Sequence, residues 1–129
     1  MLDRIDLHVS VPAVDVKKLV QVKTNAEKSA VIQQRVQQAR NIQTKRFIGT
    51  KLIANADMST KDIKKFCPLG EKELDFLTQA TAKLGLTARS YFKTIKTART
   101  IADLAGDKDI NLKHLAEAVQ YREKSPNNI

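Results

Sequence analysis

The feature that most constrains this chain is the way its apolar residues recur every three or four positions, in blocks closed at each end by cap chemistry. Ile32, Val36, Ala39 and Ile42 mark one face of a helix over 24–47. Its start is signalled by Thr24-Asn25-Ala26-Glu27, in which the hydroxyl can take the third amide and the glutamate can reach back. The opposite face is Gln33, Gln34, Arg35, Gln37 and Arg40, and Gly49 closes the block. After a loop over 50–58, Ser59-Thr60-Lys61-Asp62 opens a short helix that Pro68 ends. A helix over 70–84 carries Leu74, Leu77, Ala80 and Leu84 and stops at Gly85. Thr87 caps a helix over 87–105 with Tyr91, Ile95, Ala98 and Ala102 on one stripe, ended by Gly106. Asn111 caps a last helix that turns Leu112, Leu115, Ala116 and Val119 inward. Such spacing cannot serve a sheet, so the fold expected is all-α, a bundle of four to five helices.

One segment breaks the pattern. Ile5, Leu7, Val9 and Val11 alternate with Asp6, His8 and Ser10, which is strand periodicity, and Pro12 ends it. A lone strand is unstable in water, and no later segment offers a sheet. The expectation is a short β-strand belonging to something larger. Residues 13–23 read as a connector, and 124–129 as a disordered tail.

With 129 residues, one domain is expected, large enough to bury about two-thirds of its unfolded surface. Aromatic residues are 5% and Trp is absent, so aliphatic side chains and alanines must fill the core. The single cysteine, Cys67, excludes an internal disulfide, sits in the apolar string Phe66-Cys67-Pro68-Leu69, and suits a small buried hydrophobe in a reducing cytoplasm. No apolar run nears the ~18 residues of a membrane span, and no signal peptide is visible.

Several chemistries find no residues to carry them. There is no Gly-rich loop ending in Gly-Lys-Ser/Thr, no Gly-x-Ser-x-Gly elbow and no ligand spacing for zinc around His8 or His114. What stands out is charge. Lys and Arg number 23 against 14 Asp and Glu, a formal +9, which favours anionic partners such as nucleic acid or nucleotide phosphates.

Two arginines have distinctive positions. Arg4, between Asp3 and Asp6 at the edge of the strand, can be oriented by those carboxylates to meet a phosphoryl group, or can simply pair with them on a surface. Arg89 lies in the first turn of the helix over 87–105, with Lys93 and Lys96 at i+4 and i+7 on its face. The helix N-terminus adds partial positive charge there, so a phosphate suits the site; a solvated basic face is the plain alternative.

The strings Leu2-Asp3-Arg4-Ile5-Asp6-Leu7-His8-Val9-Ser10-Val11-Pro12, Phe66-Cys67-Pro68-Leu69, Leu84-Gly85-Leu86-Thr87-Ala88-Arg89-Ser90-Tyr91, Ala98-Arg99-Thr100-Ile101-Ala102-Asp103-Leu104 and Ala116-Glu117-Ala118-Val119-Gln120-Tyr121-Arg122 occur in this order. Together they resemble the C-terminal region of magnesium-chelatase-like AAA+ proteins of the ComM/YifB group, least well over 13–30. The resemblance implies that 1–23 are the end of an AAA+ core plus connector and 24–123 a helical lid, the rest of the core lying outside this chain. It implies that Arg4 matches the trans arginine finger and Arg89 the sensor-2 arginine. It further implies ATP with Mg2+ as the cofactor of the parent, partnership with its own core and with neighbouring subunits in a homo-hexamer, and work on DNA as a branch-migration helicase in uptake or recombination. This chain alone would bind nucleotide weakly or not at all and would be no enzyme, with no metal site and no membrane partner.

A competing expectation is a stand-alone basic helical DNA-binding module. It draws on the Lys61, Lys64 and Lys65 cluster and on Arg40, Lys45 and Arg46 at the end of the long helix. It lacks aromatics on a basic face and a short helix-turn-helix pair. A helical adaptor rests on amphipathic helices alone.

Overall fold

In the computed structural model, residues 5–9, 11 and 28–122 are described. Arg4, the capping string Thr24–Glu27, the connector 13–23 and the tail 124–129 lie outside them. The described residues form five α-helices and one 3-10 turn: α1 (Ser29–Arg46), the turn Asn55–Asp57, α2 (Thr60–Phe66), α3 (Glu71–Leu84), α4 (Ala88–Ala105) and α5 (Leu112–Gln120). The fold is all-α.

Local chemistry sets the helix ends. Ser59 Oγ accepts from the Asp62 amide while Asp62 accepts from the Ser59 amide, a reciprocal cap that starts α2. Thr87 Oγ1 accepts from the Ser90 amide at 3.1 Å and starts α4. Gly85 and Gly106 take φ of 64° and 75°, left-handed geometry that costs glycine no Cβ clash. The amides that follow them, Leu86 and Asp107, donate back to the carbonyls of Thr81 and Ala102, satisfying orphan acceptors at the ends of α3 and α4.

Packing centres on α4, which touches α1, the 3-10 turn, α2 and α5, while α3 closes against α5. Ala98 and Ala102 are fully buried on α4, and small side chains there let neighbouring elements approach closely. Around them Phe47, Met58, Ile63, Cys67, Leu77, Ile95, Ile110, Leu115 and Ala118 form the core. Phe47 meets Phe66 edge to face at 5.2 Å. Leu77 and Leu115 are wholly buried, each worth ~1.5–3 kcal/mol of transfer free energy. Cys67 is buried as expected, and burial pushes its thiol up to about 11.

Four expectations change. Ile5–Val9 and Val11 form no strand among the described residues; the segment makes one backbone bond, the His8 amide donating to the Tyr121 carbonyl at 2.8 Å. A strand needs a parallel or antiparallel neighbour, and the helices beside this segment have no free ladder to offer. In α1, Val31, Ile32 and Val36 are exposed, and only Ala39 and Gln43 are buried, so the helix docks by its C-terminal part. On α3 and α5, Leu74, Leu84 and Leu112 lie outward, with Leu77, His114, Leu115 and Ala118 taking the inner positions. The loop over 50–58 contains the 3-10 turn, fixed by Asp57 accepting from the amides of Ile53 and Ala54 at 3.1 Å each.

Candidate functional site

A cleft of about 650 Å³ runs along the outer side of α4. Phe92, Ile101, Leu104 and Leu7 give it apolar walls, and Arg89, Lys93, Lys96 and Glu117 charge its rim. The helical spacing that predicted one cationic face on α4 is therefore realised: all three cations open on the same cleft.

The three are not equivalent. Lys96 Nζ donates to the Ala56 carbonyl at 3.1 Å, so it ties α4 to the 3-10 turn. Lys93 is largely covered; its Nζ donates to the Ile5 carbonyl at 3.3 Å and lies 3.6 Å from the Asp6 carboxylate. Arg89 is exposed at the second position of α4, and among the described residues it makes no hydrogen bond or ion pair. Its guanidinium is thus available beside a capped helix N-terminus whose first amides carry partial positive charge, an arrangement suited to an anion.

The other basic cluster is elsewhere. Lys61, Lys64 and Lys65 are exposed on α2 and do not line this cleft; Lys65 Nζ stands 5.2 Å over the Phe66 ring. Lys64 borders a separate recess with Cys67, Tyr91 and Ile95. Arg40 and Lys45 are exposed, but Arg46, grouped with them on sequence, turns inward. It joins Arg99, which also pairs with the buried Asp103 carboxylate.

That inward turn belongs to a polar network the sequence reading missed. Asp103, with no exposed side-chain surface, accepts from both Arg46 Nη1 and Nη2 at 2.9 and 2.6 Å and from Arg99 Nε at 3.2 Å. Asn55 Nδ2 donates to the same carboxylate and to Thr100 Oγ1, and the Asn55 amide donates to Gln43 Oε1 at 3.0 Å. Arg99 also donates to the carbonyls of Asp107 and Lys108, at 2.9 Å each, just past the end of α4. One buried carboxylate thereby joins α1, the 3-10 turn, α4 and the loop to α5. The signal available in the sequence was an Arg-Asp pair at i,i+4, Arg99 and Asp103, each directly after a buried alanine, Ala98 or Ala102.

His114 is structural. Its Nδ1 accepts from the Asn111 amide at 2.8 Å, which places the ring proton on Nε2, 2.8 Å from Asp107 Oδ2. That hydrogen bond holds the Asp107 carboxyl below its ordinary value, against the opposing effect of burial and with help from Lys113. Among the described residues no three His, Cys, Asp or Glu side chains converge as metal ligands, and no helix is long and apolar enough to cross a membrane.

With this geometry in place, comparison with known proteins finds relatives of the chain and its family. It is 40% identical over 121 residues to the competence protein ComM of Haemophilus influenzae, covering 94% of this chain and 23% of that protein. Over the same coverage it is 38% identical to the uncharacterized protein YifB of Escherichia coli and 36% identical to that of Salmonella typhimurium. The chain thus spans 23% of the length of the curated relatives it matches. Residues 26–122 match the family described as magnesium chelatase, subunit ChlI C-terminal. The chain belongs to that family, as a C-terminal domain of the ComM/YifB type.

Proposed function

We propose, starting from that membership, that this domain is the helical lid of an AAA+ ATPase and that Arg89 is its contact with the nucleotide. The observation that carries the reading is the exposed, unpartnered Arg89 among the described residues, held on the first turn of the most deeply packed helix. A guanidinium on a rigid element can report the presence of a γ-phosphate as a displacement of the whole bundle, because α4 is tied to the other elements through Asp103.

ATP with Mg2+ supplies the phosphoryl group whose transfer the parent protein would use. The donor chemistry around Arg89 fits a phosphate oxygen: a planar cation, a capped helix N-terminus and an apolar-walled cleft. The Mg2+ ligands would come from outside the described residues. Arg4, one residue before the described segment, would reach the site of a neighbouring subunit and stabilise charge there. The parent assembles as a ring, taken as a hexamer, and spends the lid movement on DNA, in branch migration during uptake or recombination; its place is the cytoplasm.

The test is DNA-stimulated ATP turnover by the whole parent protein. Arg4→Ala should cost about 10³–10⁵ in rate, the range for arginine fingers. Arg89→Ala should also lower turnover, and Arg89→Lys should not restore it, because a point charge lacks the planar fork. Normal turnover by folded, assembled Arg4→Ala and Arg89→Ala proteins overturns the reading.

A second reading, a DNA-binding module, is favoured by the exposure of Lys61, Lys64 and Lys65 on one short helix. It predicts useful DNA affinity for this domain alone, falling steeply with salt. Affinity at the non-specific level leaves the lid reading in front.

A further inference from the structure

Lys93 was expected to face phosphate, yet its ammonium is already engaged. It donates to the Ile5 carbonyl at 3.3 Å and lies 3.6 Å from the Asp6 carboxylate. Leu7 enters the wall of the same cleft, and the His8 amide donates to the Tyr121 carbonyl at the end of α5 at 2.8 Å. Four consecutive residues are thus held against α4 and α5. The segment has no strand partner among the described residues, so these contacts are what place it.

We infer that Lys93 is a positioning residue that clips the segment over Ile5–His8 to α4, and that the clip couples the finger role proposed for Arg4 to the helix that presents Arg89. Lys93 stands four residues after Arg89, one turn along that face. Arg4 is the residue before Ile5 in the chain. The inference rests on the lid reading above and adds a coupling to it. Arg89 meets the nucleotide of its own subunit, Arg4 that of the next, and α4 with its clip connects the two. A displacement of α4 on nucleotide binding at one site then shifts the finger at the adjacent site, which makes hydrolysis around a ring cooperative.

The contacts suit a detachable link. Asp6 is 62% exposed on its side chain against 18% for Lys93, so the pair is weak and sensitive to salt. Leu7 is half exposed and leaves the cleft wall at small cost. The opposite role, in which Asp6 shields Lys93 from phosphate, predicts the opposite sign on removal.

Two measurements decide. In this 129-residue chain, hydrogen exchange at the His8 amide should quicken in Lys93→Met and in Asp6→Asn and return towards wild type in Lys93→Arg. Asp6 is a surface residue outside the core, so its variant reports on the clip even if Lys93→Met folds poorly. Unchanged exchange at His8 overturns the clip whatever the activity. In the parent, Lys93→Met and Asp6→Asn should lower kcat, by up to about 10²-fold for a misplaced catalytic group, and lower the Hill coefficient for ATP, with KM little changed. Wild-type or raised turnover in these variants, with Arg4→Ala and Arg89→Ala still defective, overturns the clip and leaves the lid reading standing. If Arg4→Ala and Arg89→Ala are themselves without effect, the lid reading fails and the clip, having no finger to place, fails with it.

Discussion

Asp103→Asn isolates the buried network in one atom. The aspartate accepts four hydrogen bonds and one further ion-pair contact on two oxygens: Oδ1 faces Arg46 Nη2, Arg99 Nε and, as an ion pair, Arg99 Nη2, and Oδ2 faces Arg46 Nη1 and Asn55 Nδ2. Asparagine keeps one acceptor and turns the other into a donor, so either orientation sets an NH2 group against at least two donors. It also leaves the guanidinium of Arg99, itself buried, without a counter-charge. Removing one partner of a buried ion pair costs about 3–5 kcal/mol. For a chain of this size, at ~4 °C per kcal/mol, that lowers Tm by roughly 12–20 °C. Urea unfolding followed by circular dichroism should show the midpoint falling with m unchanged, the mark of altered stability rather than altered compactness. A companion triple variant, Arg46→Met with Asp103→Leu and Arg99→Met, should recover part of the loss, since no charge is left buried. Recovery stays incomplete because the carbonyls of Asp107 and Lys108 lose their donor. A loss below ~1 kcal/mol in Asp103→Asn would refute the claim that this carboxylate holds two cations in a dry interior.

Two further outcomes follow from titrating groups. With its thiol pushed up to about 11, Cys67 should react with a thiolate-directed reagent at pH 8 about 100-fold more slowly than a thiol at the reference value of 9.0, and burial should slow it further; native labelling within about tenfold of the urea-unfolded rate would contradict the buried placement. For Asp107, the folded carboxyl lies below its reference of 3.8, so its stabilisation is complete above that value and disappears as pH falls through the folded value. The stability difference between wild type and Asp107→Asn should therefore shrink as pH drops below 3.8, and a difference that stays constant down to acid unfolding would dismiss the His114 contact as its cause.

Helix ends were readable because they depend on neighbours in sequence. Ser59, Thr87, Gly85 and Gly106 each act over three to five residues, and each sits where the spacing placed it. The cationic face of α4 was readable for the same reason: i+4 and i+7 share a side of any helix. What each cation does was not readable, because Lys93 finds its carbonyl acceptor 88 positions away and Arg46 its carboxylate 57 positions away. Period-2 alternation in Ile5–Val11 indicates an extended chain but not its partner, and here the described contacts come from a lysine and a helix end rather than a sheet. Ile32 and Val36 carry the spacing of an inward face with Ala39, yet both are exposed, so pattern alone overstated their burial. The buried Asp103 ran against the usual expectation for a charged side chain, and only the convergence of two arginines makes it tolerable.

The partial docking of α1 has a mechanical consequence. Its buried side chains are at Ala39 and Gln43, and Arg46 fastens the same end to Asp103. From Gln43 back to Ser29 the helix runs 14 residues, about 21 Å at 1.5 Å per residue, with Val31, Ile32 and Val36 exposed along it. Among the described residues it is a cantilever: a 10° rotation at the anchored end swings the far end by roughly 4 Å. A small rearrangement around Asp103 would arrive at Ser29 as a displacement about as long as one residue of chain.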